Sequence, residues 1–199
     1  MLAHLRRSIV LALVAIVIFG FGYALLGTGL SQLFFRGQAD GSLTANGSPL
    51  IGQNWTGTKW FHGRPDDAGP YAANPKAKVS GGDNPLVANG VSGESGATNL
   101  GPRSKVLAAD TKALIQYWHK LGVMDPTPDL VTTSGSGLDP DITPEDAIVQ
   151  IPMVAKARHL APAVLRSLIS KETHPAQWGF LGSEYIDVLQ LNEALAKLK

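Results

Sequence analysis

The chain has 199 residues, enough for one ordinary domain and an appendage. Its hydrophobic content of 44% excludes a disordered chain. The net charge of +1 offers no electrostatic surface for nucleic acid, and the lack of cysteine excludes disulfides, thiolate metal sites and cysteine nucleophiles.

The first predicted element is a long apolar segment near the N-terminus. No charged residue or histidine occurs from Ser8 to Phe35, and Ile9–Leu30 meets the length of about 20 residues that a helix needs to cross a bilayer. A cleaved signal peptide would have an apolar core of about 7–15 residues with a cleavage site after it. Here the best cleavage site, Gly22–Ala24, lies inside the core. We therefore interpret the segment as a retained single-pass helix surrounded by membrane lipid.

The charges that flank this segment predict its orientation. His4, Arg6 and Arg7 precede it, whereas Arg36 follows it shortly before the acidic Asp40. Because the excess of basic residues stays in the cytoplasm, we expect a cytoplasmic N-terminus and an extracytoplasmic domain.

Three small residues recur every four positions within the apolar segment, at Gly20, Ala24 and Thr28. Small residues at this spacing allow a second helix to approach closely. They predict a docking face for a partner helix, against the simpler alternative that small residues are common in membrane helices without such a role.

The remainder of the chain predicts a linker and one soluble domain. After the tail and membrane helix at 1–35, residues 36–48 are polar and rich in Gly, Ser and Asn, as is typical of a linker. Residues 49–199 predict a single compact α+β domain, in which helices pack a small sheet. The loop Asp66–Pro102 is long and poor in apolar residues, and such loops are usually functional or mobile.

Short apolar runs bounded by turn residues predict strands at Leu50–Trp55, Lys59–Gly63 and Asp129–Thr133. Helices are predicted from Ser104 to Leu121 with Gly122 after the end, from Thr143 with Pro144 in the first turn and a kink at Pro152, and from Ala161. The C-terminal segment predicts a strand followed by a short helix.

The composition of the loop at 134–141, SGSGLDPD, is compatible with a phosphate, metal or nucleophile site and with a simple turn. A phosphate-binding loop of Walker type needs Lys followed by Ser or Thr. The loop at 134–141 contains no Lys, and the nearest similar string elsewhere in the chain, Gly52–Lys59, has Thr before Lys. A calcium loop that began at Asp139 would place Pro144 where the sharp turn requires glycine. No G-x-S-x-G pentapeptide marks a nucleophilic serine. We therefore predict neither a catalytic residue nor a metal site.

Several strings in this chain resemble the C subunit of the bacterial Kdp potassium-transporting ATPase. In chain order they are LIGQ at 50–53, FHGRP at 61–65, SGATNLGP at 95–102, DLVTTSGSGLDPDITPEDA at 129–147, VAKARHL at 154–160 and GFLG at 179–182. Together with the short tail and single membrane helix, they cover nearly the whole chain.

The resemblance implies a non-catalytic accessory subunit in the bacterial inner membrane. Its expected partners are a channel-like subunit that binds potassium and a P-type ATPase subunit that hydrolyses ATP. The family is credited with assembling or stabilising that complex and with raising the ATP affinity of the catalytic subunit. No tightly bound cofactor is implied, and ATP enters only through the catalytic subunit. The residues that correspond to a nucleotide contact are Gln150 and Arg158.

The resemblance also gives the loop at 134–141 an expected role as a rigid surface presented to partner subunits. The contacts would come from Ser134, Gly135, Ser136, Gly137 and Asp139. The alternative is a corner that joins two elements and contacts nothing.

Three departures from the family pattern bear on nucleotide binding. Met153 and Tyr185 stand where the family usually has Arg, and Glu172 where it has His. An extracytoplasmic domain also lies across the bilayer from cytoplasmic ATP, so we expect Gln150 and Arg158 to be structural. The alternative function is a stand-alone tethered envelope domain that binds a small ligand or a wall component.

Overall fold

The structure is a computed structural model that describes residues 2–53, 55, 57–65, 98–136 and 138–198. The chain divides into two units, Met1–Ala45 and Asn46–Lys199. The domain boundaries expected at 35 and 48 remain predictions. Most of the predicted loop Asp66–Pro102, together with Gly137, lies outside the described residues.

The N-terminal unit is helical from Leu2 to Phe34. Helix α1 (Leu2–Ala15) continues through a π-helical segment (Ile16–Gly22) into α2 (Tyr23–Phe34), and a short α3 (Arg36–Ala39) follows. The 33-residue helix has a mean hydropathy of 2.8 and no buried residue, so by length and composition it can cross a membrane. It is the single candidate span among the described residues.

The helices predicted within Asn46–Lys199, called the soluble unit below, are confirmed. Local signals in the sequence set the ends of the first two. Helix α4 (Lys105–Leu121) begins at Ser104, whose hydroxyl accepts from two amides of the first turn, and ends at Gly122 with φ +92°. Helix α5 (Pro144–Arg158) begins with a capping box between Thr143 and Asp146. Helices α6 (Pro162–Glu172) and α7 (Val188–Ala196) complete the unit.

Helix α5 continues through Pro152, which lies on its exposed side. The kink expected there stays a prediction.

Two strands form the small antiparallel sheet. Strand β1 (Asp141–Ile142) pairs with β2 (Ile186–Asp187), and Asp141 lies opposite Asp187 in the register. Helices packed around a two-stranded sheet confirm the α+β class.

The core of the soluble unit lies where α4 to α7 meet the sheet and the segment at 129–131. Trp118 of α4 is 1% exposed, and its indole Nε1 donates to the Leu130 carbonyl at 2.8 Å. Burying an apolar side chain of this kind contributes roughly 1.5–3 kcal/mol. Other fully buried members are Phe61, Val154, Leu165, Ile186, Leu191 and Leu195.

The strand predicted at Asp129–Thr133 is wrong. Asp129–Val131 forms a 3-10 helix, in which the Leu130 amide donates to the Thr127 carbonyl at 3.2 Å. Both apolar residues of this turn are buried. The apolar run marked burial, which a short turn provides as well as a strand does.

The strands predicted at Leu50–Trp55 and Lys59–Gly63 are also wrong, because the described residues of these segments form no strand. In the first segment, the Gly52 amide bonds to a single loop carbonyl, Leu50 lies in a turn and Ile51 lies in a bend. In the second, backbone groups bond to helix side chains instead of a neighbouring strand, so no ladder forms.

Candidate functional site

Two motifs that lie far apart in sequence meet at the loop 134–141. The Gly52 amide donates to the Leu138 carbonyl at 2.7 Å. A Cβ at Gly52 would lie 2.7 Å from the Asp139 carbonyl oxygen, which is closer than real side chains approach. Glycine is therefore required here because the two backbones touch.

Arg64 of the FHGRP string ties the same loop to the 3-10 turn. Its guanidinium lies 3.3 Å from a carboxylate oxygen of Asp139 and 3.5 Å from one of Asp129. The arginine side chain is 22% exposed, so the network is partly shielded from water. The contacts fix the loop against the domain.

Turn hydrogen bonds account for the composition of the loop itself. The Asp139 carboxylate accepts from the Asp141 amide at 3.1 Å, and the Ser136 hydroxyl accepts from the Leu138 amide at 3.1 Å. Ser134 is buried, whereas Gly135 and Ser136 are exposed. The exposed part of the described loop is therefore Gly135 and Ser136.

Gln150 of α5 clamps the backbone of His62. Its Oε1 accepts from the His62 amide at 2.8 Å, while its Nε2 donates to the His62 carbonyl and the Asp146 carbonyl, both at 3.1 Å. Gln150 is fully buried. Both polar atoms of its amide are therefore bonded inside the protein.

Asn192 of α7 makes the same bidentate contact with the backbone of Phe61, the residue before His62. The sequence analysis did not identify Asn192. Its Oδ1 accepts from the Phe61 amide at 2.9 Å, and its Nδ2 donates to the Phe61 carbonyl at 2.8 Å. The signal that could have found it is an asparagine on the apolar face of a helix, because buried amides need partners.

Arg158, near the end of α5, extends this clamp to Lys59. Its Nε donates to the Lys59 carbonyl at 2.9 Å, and its guanidinium carbon lies 4.5 Å from the ring centroid of Trp60. A second nitrogen donates to the Leu195 carbonyl at 3.2 Å. The structure thus brings Gln150 and Arg158 together on one short segment, residues 59–62.

His62 is fully buried beside this clamp. One ring nitrogen, Nε2, lies 2.5 Å from the Gly57 carbonyl, and Nδ1 has no hydrogen-bond partner among the described residues. Burial lowers the pKa of His62, and the bond to Gly57 partly opposes that shift. The ring packs against Trp118 at 5.4 Å, so a neutral imidazole fits the site.

The sheet places two carboxylates opposite each other. Burial, and then the charges of Asp187 and Asp139, raise the pKa of Asp141 to about 6, against the opposing charge of His174. Burial also raises the pKa of Asp187, although its bond to the Gln190 amide at the start of α7 opposes the shift. Asp141 can therefore stay partly protonated at mildly acidic pH.

Among the residues that the structure describes, no three His, Asp or Glu side chains are grouped so that they could hold a metal ion.

Two of the three positions that depart from the family pattern pack against other residues of the domain. Met153 is buried in the core. Tyr185 stacks on His174 with ring centroids 5.0 Å apart, and their backbones pair through two hydrogen bonds. Glu172 is the last residue of α6.

The three small residues of the membrane helix are exposed within their unit. Gly20 lies in the π-helical segment, whereas Ala24 and Thr28 lie in α2. A π-helix has a wider turn than an α-helix, so the three residues are not related by one α-helical repeat.

Comparisons with known proteins cover the whole chain. Residues 5–197 match the family described as KdpC, the c chain of K+-transporting ATPase. A Methylobacterium nodulans protein called potassium-transporting ATPase KdpC subunit is 41% identical over 204 residues, covering 100% of this chain and 98% of that relative. Relatives of the same name from Acidobacterium capsulatum and Staphylococcus aureus (strain bovine RF122) are 38% and 42% identical, with 98% of each chain covered. The chain therefore belongs to the KdpC family of potassium-transporting ATPase subunits.

Proposed function

We propose that this chain is a non-catalytic accessory subunit that assembles and stabilises its ATPase complex. Its partners in this proposal are a channel-like subunit that binds potassium and a P-type subunit that hydrolyses ATP. The match over residues 5–197 and the names of the relatives support a subunit role in potassium transport.

The observation that argues most directly for a structural role of Gln150, and against a nucleotide contact there, is the saturation of its amide. Its three hydrogen bonds reach protein carbonyl and amide groups, and the side chain has no exposed surface. A nucleotide could reach this amide only if the clamp on His62 opened. Any influence on ATP affinity would then travel as a coupling free energy, typically about 1–3 kcal/mol.

Arg158 offers the sharper test of this role, because it is partly exposed and charged. Replacing it by Gln should lower the thermal stability of the chain and leave the KM for ATP of the assembled complex unchanged. Arg166→Gln, on the exposed side of α6, is the matched control and should change neither. A raised KM at unchanged stability would instead assign Arg158 to the nucleotide.

The proposed topology has the N-terminus in the cytoplasm and the soluble unit outside. Arg6 and Arg7 support it through the charge bias across the membrane helix. Protease added to intact spheroplasts should digest the soluble unit while a tag placed before Met1 stays protected. Digestion of the soluble unit only in inside-out vesicles would reverse the topology and make direct ATP contact plausible again.

Two surfaces are proposed to contact the partner subunits: the helix face at Gly20, Ala24 and Thr28, and the loop at 134–141. In the loop, Gly135 is exposed and has open space around its Cβ position. Gly135→Trp should therefore lower the yield of the complex without destabilising the isolated chain. Gly101 is also exposed and open, so Gly101→Trp is the control. Equal yields for both variants would leave the loop as a corner without contacts.

A further inference from the structure

The segment from His174 to Tyr185 forms a hairpin that projects apolar side chains into solvent. Its base is the backbone pairing of His174 with Tyr185, and its end is closed by Gln177 and Leu181, whose amides and carbonyls exchange bonds of 2.9 Å. Trp178 is 76% exposed and Phe180 is 74% exposed. These two backbone bridges hold the end of the hairpin, residues 177–181, in a defined conformation, and we call these residues the tip.

Stability does not explain the tryptophan at this tip. Trp178 has φ +54° and Gly179 has φ +81°, the positive values at both central positions that a type I′ turn requires. Asparagine is favoured at the first of these positions, whereas a bulky side chain is strained there. Trp178 also buries little surface to offset that strain. A residue that is strained, apolar and exposed points to a contact outside this chain.

The chemistry of the tip fits the interface of a lipid bilayer. The nine residues from Pro175 to Ser183 contain no charged side chain, so no desolvation of charge opposes insertion. Tryptophan concentrates at the level of the lipid headgroups, where its ring meets both apolar and polar surroundings. The tip therefore fits a surface where apolar and polar groups meet, and it requires neither a complementary charge nor a specific pocket.

The same chain supplies a means of holding the domain near a bilayer. The candidate membrane helix ends at Phe34, and the soluble unit begins at Asn46. The residues between them can span at most about 40 Å when fully extended. A weak interfacial contact is strengthened when a tether keeps it at high effective concentration.

We propose that the hairpin tip at Trp178 and Phe180 inserts into the headgroup region of the bilayer and serves as a second membrane contact for the soluble domain. The contact requires neither a particular side of the membrane nor the assembly role, so it can fail while the proposed function stands. It also requires no anionic lipid.

A spin label tests the proposal in the full-length chain. Because the chain has no cysteine, Gln177→Cys places a single nitroxide on the exposed side of the tip and leaves both aromatic residues in place. In phosphatidylcholine proteoliposomes, we measure how often the label collides with oxygen relative to a water-soluble nickel chelate. This ratio should be several-fold higher than the ratio for a standard label that is freely exposed to water. A label that stays as accessible to nickel as such a standard overturns the proposal, and so does insertion that appears only with anionic lipid.

The matched control combines Gln177→Cys with Trp178→Asn and Phe180→Ser. Asparagine suits the positive φ at this turn, so the thermal midpoint should hold or rise while the label moves into water. An unchanged label depth in this variant overturns the role of the aromatic residues.

A second readout separates the bilayer from a protein partner. Cysteine at position 177 is treated with a membrane-impermeant maleimide, in membranes with and without the other subunits of the complex. Slow labelling in both membranes supports the bilayer contact. Rapid labelling that becomes slow only in the complex would show that a partner protein covers the tip, and would overturn the proposal.

Discussion

Replacing Gln150 by Leu removes the clamp on His62 while nearly preserving side-chain volume. The variant leaves the amide and the carbonyl of His62 without their bonds of 2.8 and 3.1 Å, in a fully buried position. Each buried group that loses its partner costs about 1–3 kcal/mol, so we expect a loss of about 3 kcal/mol in the free energy of unfolding. For a unit of this size, the thermal midpoint should fall by about 6–12 °C.

The assay is thermal unfolding of the full-length chain, followed by tryptophan fluorescence because Trp118 is buried in the same core. Gln116→Leu, on the exposed side of α4, is the control and should leave the midpoint within about 2 °C. ATPase activity of the assembled complex is measured in parallel, and its KM for ATP should not change. A Gln150→Leu variant that unfolds like the wild type but raises this KM would refute the structural role.

Three further predictions concern the sheet, the loop and the membrane helix. Burial and two neighbouring aspartates raise the pKa of Asp141 from 3.8 to about 6, so the folded state binds this proton more tightly than the unfolded chain. The stabilisation that this protonated carboxyl contributes is present below about pH 3.8 and is lost as pH rises through about 6. The difference in thermal midpoint between the wild type and Asp141→Asn should change over the same pH range. A difference that stays constant with pH would contradict the prediction. Gly52→Ala forces a Cβ against a loop carbonyl and should destabilise the chain by more than about 1 kcal/mol in urea unfolding, whereas Gly135→Ala meets open space and should be nearly neutral; equal effects would argue against the close backbone contact. Ala24→Leu should lower co-purification of the partner subunits without blocking insertion, while Ile18→Leu should do little; similar losses from both would rule out a specific helix face.

Features that depend on neighbouring residues could be predicted from the amino-acid sequence. The length of the uncharged run predicted a membrane-spanning helix at Ile9–Leu30, and the observed helix, Leu2–Phe34, contains that span. The ends of α4 and α5 followed from Ser104, Gly122 and Thr143, because a cap acts within one turn of the helix that it ends. Membership of the family was also readable from the order of the motifs.

The roles of the short apolar runs and of the buried polar residues depend on packing between distant parts of the chain. The run Lys59–Gly63 has the composition of a strand, but Gln150 and Asn192 satisfy its backbone from 88 and 131 residues away. The pairing of Asp141 with Asp187 likewise depends on how β1 and β2 meet. A backbone hydrogen bond can be satisfied by any donor or acceptor that packing brings within reach, so no local pattern identifies the partner.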